Sequence, residues 1–106
     1  MARALITLPA SVRQGEAFEV RALLAHPMET GYRPGADGRV LPRDIVRRFS
    51  CRYDGETVFS ADLHPAIAAN PYLSFHVLAG ESGTLEFEWA GDNGFRQVEQ
   101  RPLQVG

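Results

Sequence analysis

Apolar and polar residues alternate along most of this chain. Phe18, Val20, Ala22 and Leu24 alternate with Glu19, Arg21 and Leu23. Phe49, Cys51 and Tyr53 alternate with Arg48, Ser50 and Arg52, and Leu73, Phe75 and Val77 with Tyr72, Ser74 and His76. Leu85, Phe87 and Trp89 alternate with Thr84, Glu86 and Glu88. In an extended chain this spacing sends one set to each face, so each strand buries one side. Such half-buried strands belong to antiparallel sheets, not to parallel ones covered by helices.

The breaks between these runs are turn chemistry. Asp54-Gly55 supplies the positive φ that a two-residue hairpin needs, and Asp92-Asn93-Gly94 does the same after Trp89. Gly80 to Gly83 breaks the chain before Leu85, and Pro9 to Gly15 separates the first two strands. Seven strands are expected, near residues 4–8, 17–25, 45–53, 57–63, 72–78, 84–90 and 95–105. Pro102 cannot donate to a ladder, so the last strand should be an edge or bulged there. One helical turn is expected over Pro65–Asn70, begun by proline and stopped by Asn70-Pro71. The whole reads as one domain, residues 1–106, an all-β, immunoglobulin-like antiparallel sandwich of about seven strands. The paired cysteines of antibody domains are missing.

One stretch resists this pattern. From His26 to Asp44 the chain makes a long excursion broken by proline and glycine. Excursions of this length in small domains are often functional. Ala36-Asp37-Gly38-Arg39 can close a hairpin, pairing Met28–Arg33 with Arg39–Leu41. Met28, Tyr32, Val40 and Leu41 would then need cover, from the domain or from a partner.

Composition narrows the function classes. The formal net charge is -2, which excludes a general nucleic-acid footprint. All 11 basic residues are arginine. The single cysteine rules out an intrachain disulfide. No apolar run approaches the roughly 18 residues of a membrane span. The N-terminus, with one arginine and an early Pro9, does not read as a secretory signal.

Candidate chemistry is sparse. His26, His64, His76 and Cys51, with Met28 as a soft ligand, could form a metal site. Their spacing argues otherwise: no His or Met follows Cys51 closely, and an iron site of four imidazoles needs one more histidine. Cys51 with His26 or His76 would make a thiol–imidazole pair, but Cys51 shares the phase of Phe49 and Tyr53 and reads as a small core hydrophobe. No cofactor is expected. His76, on the polar phase with Tyr72 and Ser74, suits a solvent-facing sheet and a partner-facing one equally. Arg43, Arg47, Arg48 and Arg52 read as a solvated face, with an anion-binding surface as the alternative.

The run His26-Pro27-Met28-Glu29-Thr30-Gly31-Tyr32-Arg33 closely resembles the hallmark stretch of the SoxZ family. Phe49-Ser50-Cys51-Arg52-Tyr53-Asp54-Gly55-Glu56 resembles a second family stretch. Pro65 to Phe75 and Ser82 to Trp89 follow in the family order. SoxZ is the smaller subunit of the SoxYZ sulfur carrier of bacterial thiosulfate oxidation. The resemblance implies a non-catalytic subunit that pairs with SoxY as a heterodimer or higher assembly. It also implies transient contact with other Sox enzymes through SoxY. SoxY carries the sulfur intermediates on a cysteine in a Gly-Gly-Cys-Gly-Gly arm, which this chain lacks. The family is periplasmic, which implies export together with SoxY. Partner contacts are expected at Met28, Tyr32, Arg33 and Tyr72, with self-association when the chain is alone. The competing readings are a redox-thiol module using Cys51 and a metal-binding sandwich.

Overall fold

The computed structural model describes residues 3–29, 31–32, 34–40, 43–63 and 70–106. Among these, seven strands form: β1 (Arg3–Thr7), β2 (Ala17–Ala25), β3 (Val46–Tyr53), β4 (Glu56–Asp62), β5 (Tyr72–Leu78), β6 (Gly83–Gly91) and β7 (Arg96–Leu103). They build two antiparallel sheets, β1-β2-β5 and β4-β3-β6-β7. The all-β, immunoglobulin-like sandwich expected from the alternation is the fold observed. β7 is an edge strand, as Pro102 requires. The expected helical turn over Pro65–Asn70 lies, except for Asn70, outside the described residues.

Alternation decides which side chains meet between the sheets. Phe18, Val20, Ala22 and Leu24 from β2 and Phe75 and Val77 from β5 face Phe49, Cys51, Leu85, Phe87 and Trp89 from β3 and β6. The centre is aromatic. The Phe49 ring lies 5.1 Å from Trp89 and 5.8 Å from Phe75, and Phe59 stacks on Phe75 at 4.3 Å. Such ring pairs add roughly 0.5–1.5 kcal/mol each beyond their buried area.

The hairpin between β3 and β4 turns on Asp54 and Gly55, with φ of 49° and 86°. Both central residues are left-handed, as the twist of a two-residue hairpin demands. The Asp54 carboxylate then reaches over to accept the Thr84 N–H at 2.9 Å. A Cβ at Gly83 would crowd that carboxylate, so a larger residue there would displace the Asp54 side chain from Thr84.

The excursion after β2 forms a short ribbon. Glu29 and Asp44 exchange both backbone hydrogen bonds, at 2.8 and 2.7 Å. Pro34 is bridged to Val40, and the Gly35 N–H donates to the Arg39 carbonyl at 2.6 Å. The turn at residues 35–39 is where Asp37-Gly38 places it, and Glu29 pairs at Asp44, beyond the expected Arg39–Leu41 partner. The radius of gyration, 16.0 Å, exceeds the roughly 13 Å of a round domain of this size.

Candidate partner-binding surface

The root of the ribbon is fixed from three sides. At the end of β2 the His26 N–H donates to Asn70 Oδ1 at 3.0 Å, and the Asn70 N–H donates to the His26 carbonyl at 2.7 Å. Asn70 takes φ 57°, a left-handed conformation that asparagine tolerates better than most residues. The Met28 N–H donates to His26 Nδ1 at 3.0 Å, which puts the neutral ring's proton on Nε2. The buried His26 ring meets Phe95 edge-on at 5.1 Å. On the third side, Arg43 holds Asp92 by two contacts of 2.8 and 3.0 Å, while the same carboxylate accepts the Ile45 N–H at 3.2 Å. Gly91 lets β6 approach here, because a Cβ on it would lie 2.4 Å from the Ile45 carbonyl.

These bonds decide where Met28 goes. It takes φ 52°, yet it stays on the buried phase that runs through Phe18, Val20, Ala22, Leu24 and His26. It is only 4% exposed, and its sulfur accepts the Val46 N–H at 3.2 Å. Met28, expected at a partner surface, is covered by the domain itself. Tyr32 is in the described ribbon and 85% exposed, with Val40 also exposed. Arg33 lies outside the described residues.

Tyr72 stands elsewhere, on the outer face of the three-stranded sheet. It is 54% exposed and in register with Leu23, which is in register with Leu5. Leu5 is 63% exposed. The three form an apolar row across all three strands, next to Ala25. Alternation alone missed Leu5, although a signal existed. The doublets Leu5-Ile6, Leu23-Leu24 and Tyr72-Leu73 put apolar residues on both faces of one strand, which a purely solvated face does not need. The opposite end of this face is polar: Glu19 pairs with Arg21 at 2.9 Å and accepts the Ser74 hydroxyl at 2.9 Å. Those two contacts, Ser74 first, hold the Glu19 carboxyl below the usual range.

The outer face of the four-stranded sheet is different in kind. Arg52 donates to Glu86 and, at 3.0 Å, to Glu88. Gln100 and Arg96 complete the two carboxylates, and Arg48 pairs with Asp62 at 3.3 Å. Hydrogen bonds from Arg52 hold both Glu86 and Glu88 below the usual carboxylate range, and Arg43 does the same for Asp92. A carboxyl depressed in the folded state stabilises the fold above its unfolded pKa, and that contribution is lost as pH falls through the lower folded value. Melting temperature should therefore hold from neutrality to about pH 5 and fall progressively below it. Asp92→Asn should lower the neutral-pH melting temperature and shrink the acid decline. An equally steep decline in the variant would contradict this role for Asp92.

Residues 6–101 match the family described as Sulphur oxidation protein SoxZ. The chain belongs to the SoxZ family. It is a subunit of the sulfur-oxidising Sox system, which implies partnership within that system. The hallmark segment of this SoxZ-family chain is thus the clamped root and ribbon described above. No curated protein matches the chain. Among solved structures, it resembles the superoxide reductase (neelaredoxin) from Ignicoccus hospitalis, with a TM-score of 0.76 and 18% identity over 99% of this chain and 82% of that one. A putative superoxide reductase from Thermotoga maritima gives 0.73 and 15% over 97% and 85%. At these identities the likeness is one of fold, and function must be argued from the site.

In this SoxZ-family chain the described candidate metal ligands Cys51, His26 and His76 do not converge, and His64 lies outside the described residues. Cys51 faces the core from β3, whereas His76 faces outward from β5, on the far side of the other sheet. His26 Nδ1 is already engaged by Met28. Among the described residues, no group of three His, Cys, Asp or Glu side chains could hold a metal ion. Cys51 has no exposed surface, and burial pushes its thiol up to about 12 despite the opposing charge of Arg52. At neutral pH it is a thiol, not a nucleophilic thiolate.

Proposed function

We propose that this SoxZ-family chain is the non-catalytic binding subunit of the SoxYZ carrier, pairing with SoxY while SoxY bears the sulfur intermediates. The observation that carries this reading is the state of Cys51. It is the single cysteine of the sequence, and it is buried and protonated, so covalent sulfur is left to a partner's thiol. The pairing surface in this reading is the Leu5–Leu23–Tyr72 row on the three-stranded sheet, with Tyr32 of the ribbon and Arg33, which lies outside the described residues, as further contacts. Tyrosine and apolar residues concentrate at interface centres, whereas the paired charges of the opposite sheet suit solvent. The complex works in the periplasm, and export depends on SoxY.

The test is chemical. Thiol reagents should label Cys51 only after denaturant is added. Intact masses after thiosulfate turnover should show sulfur adducts on SoxY and none on this chain. Cys51→Ala should cost about 1–2 kcal/mol of stability, as small core truncations do, and leave carrier function unchanged. Rapid labelling of the native protein, or a sulfur adduct on Cys51, would favour the redox-thiol reading instead.

A further inference from the structure

Val46 and Phe49 are both buried, yet they lie three positions apart in one strand, where alternation allows two or four. A β-bulge between Val46 and Arg48 absorbs the extra residue. Bulges re-aim side chains, and here Arg47 and Arg48 are both exposed side by side. Opposite them β6 ends in Ala90 and Gly91, which offer a methyl group and bare backbone. The result is a cleft of about 540 Å³ lined by Arg47, Arg48, Asp62, Leu63, Ala90 and Gly91.

The charges around this cleft do not balance. Asp92 is the nearest acid to Arg47, but it is held by both Arg43 contacts and by the Ile45 N–H. Arg47 reaches it only at 4.0 Å. Among the residues that line the cleft, Arg47 and Arg48 face one acid, Asp62, which Arg48 holds at 3.3 Å. The chain as a whole carries -2, so this corner runs against the global sign. The surplus falls on Arg47, at the mouth of the cleft.

Guanidinium forks recognise oxoanions through paired N–H donors. Leu63, Ala90 and Gly91 beside them favour a ligand whose charged head sits on a short apolar stem. Oxidised sulfur borne on a thiol, R–S–SO3⁻, is an oxoanion of this kind at neutral pH, whereas free sulfite and sulfate have no stem. We infer that the Arg47–Arg48 cleft binds a small oxoanion on a short apolar stem, and that its natural occupant is an oxidised sulfur group. The sulfur identity rests on the sulfur-oxidation reading above; the anion site rests on the geometry alone.

The test uses the isolated full chain, so that it stands apart from pairing with SoxY. Amide resonances are followed by NMR while methanesulfonate, thiosulfate or acetate is added at constant ionic strength. Methanesulfonate should shift Arg47, Arg48, Ala90 and Gly91 in a saturable way, and more tightly than acetate. Arg47→Gln and Arg48→Gln should each weaken it at least roughly fivefold, the scale of one lost charge-assisted hydrogen bond. Arg13→Gln, in the loop before β2, should not. Acetate binding as tightly as methanesulfonate would overturn the sulfur assignment. Shifts spread over all arginines and unchanged in the variants would overturn the site. Affinity for SoxY, measured separately on Arg47→Gln, tells a failed anion site from a failed subunit assignment.

Discussion

Replacing Phe49 by alanine should cost about 3–5 kcal/mol of folding free energy, the range for removing a large buried aromatic side chain. Phe49 has no exposed surface and touches rings from three other strands: Phe59 on β4, Phe75 on β5, and Phe87 and Trp89 on β6. It therefore joins the two sheets, beside the Phe59–Phe75 stack that also crosses between them. The truncation forfeits transfer free energy and leaves a cavity that four fixed rings cannot close. Domains of this size are stable by only about 5–15 kcal/mol, so the variant should be marginal at best. Urea denaturation should show a lower midpoint at an unchanged slope. A loss below about 1 kcal/mol would mean that the aromatic centre does not hold the sandwich together.

The second large effect concerns pairing. Tyr72→Asp should weaken binding to SoxY by about 2 kcal/mol or more, the threshold of an interface hot spot and roughly a thirtyfold loss. Tyr72 is half exposed on a face whose neighbours in register are Leu23 and Leu5, so a carboxylate there would be trapped against apolar surface on binding. In the free chain the same carboxylate meets water, so circular dichroism and the melting temperature should barely change. Tyr32→Ala provides the comparison, because Tyr32 stands in the ribbon instead of on the sheet. Undiminished affinity in Tyr72→Asp together with a loss in Tyr32→Ala would move the interface to the ribbon. Met28→Asp is not a useful probe of pairing. It would bury a charge at a position that is 4% exposed and unfold the root of the ribbon.

The strands, their sheets and the core were legible because burial on one face leaves a period of two in the sequence. Phe49, Cys51, Leu85, Phe87 and Trp89 are all buried, as their phase requires. What escaped was local breaks in that period. Met28 is not one of them: it continues the buried phase of β2 past Pro27, through a positive φ, and its burial was missed because that phase was not carried beyond the strand. Arg47 and Arg48 share a face through a bulge, whose trace is the three-residue spacing from Val46 to Phe49. The apolar row on the three-stranded sheet depends on register between β1, β2 and β5, which local patterning does not fix. Its doublets were visible, but only pairing shows that Leu5, Leu23 and Tyr72 line up.

The central claim is that this SoxZ-family chain is a binding subunit. The most direct test is native mass spectrometry of the purified chain mixed with SoxY. A stable heteromeric complex is predicted, with a Kd below about 1 µM, as expected of partners that bury a standard interface or more. Two separate species, each at its own mass with both proteins at roughly 10 µM, would contradict the account.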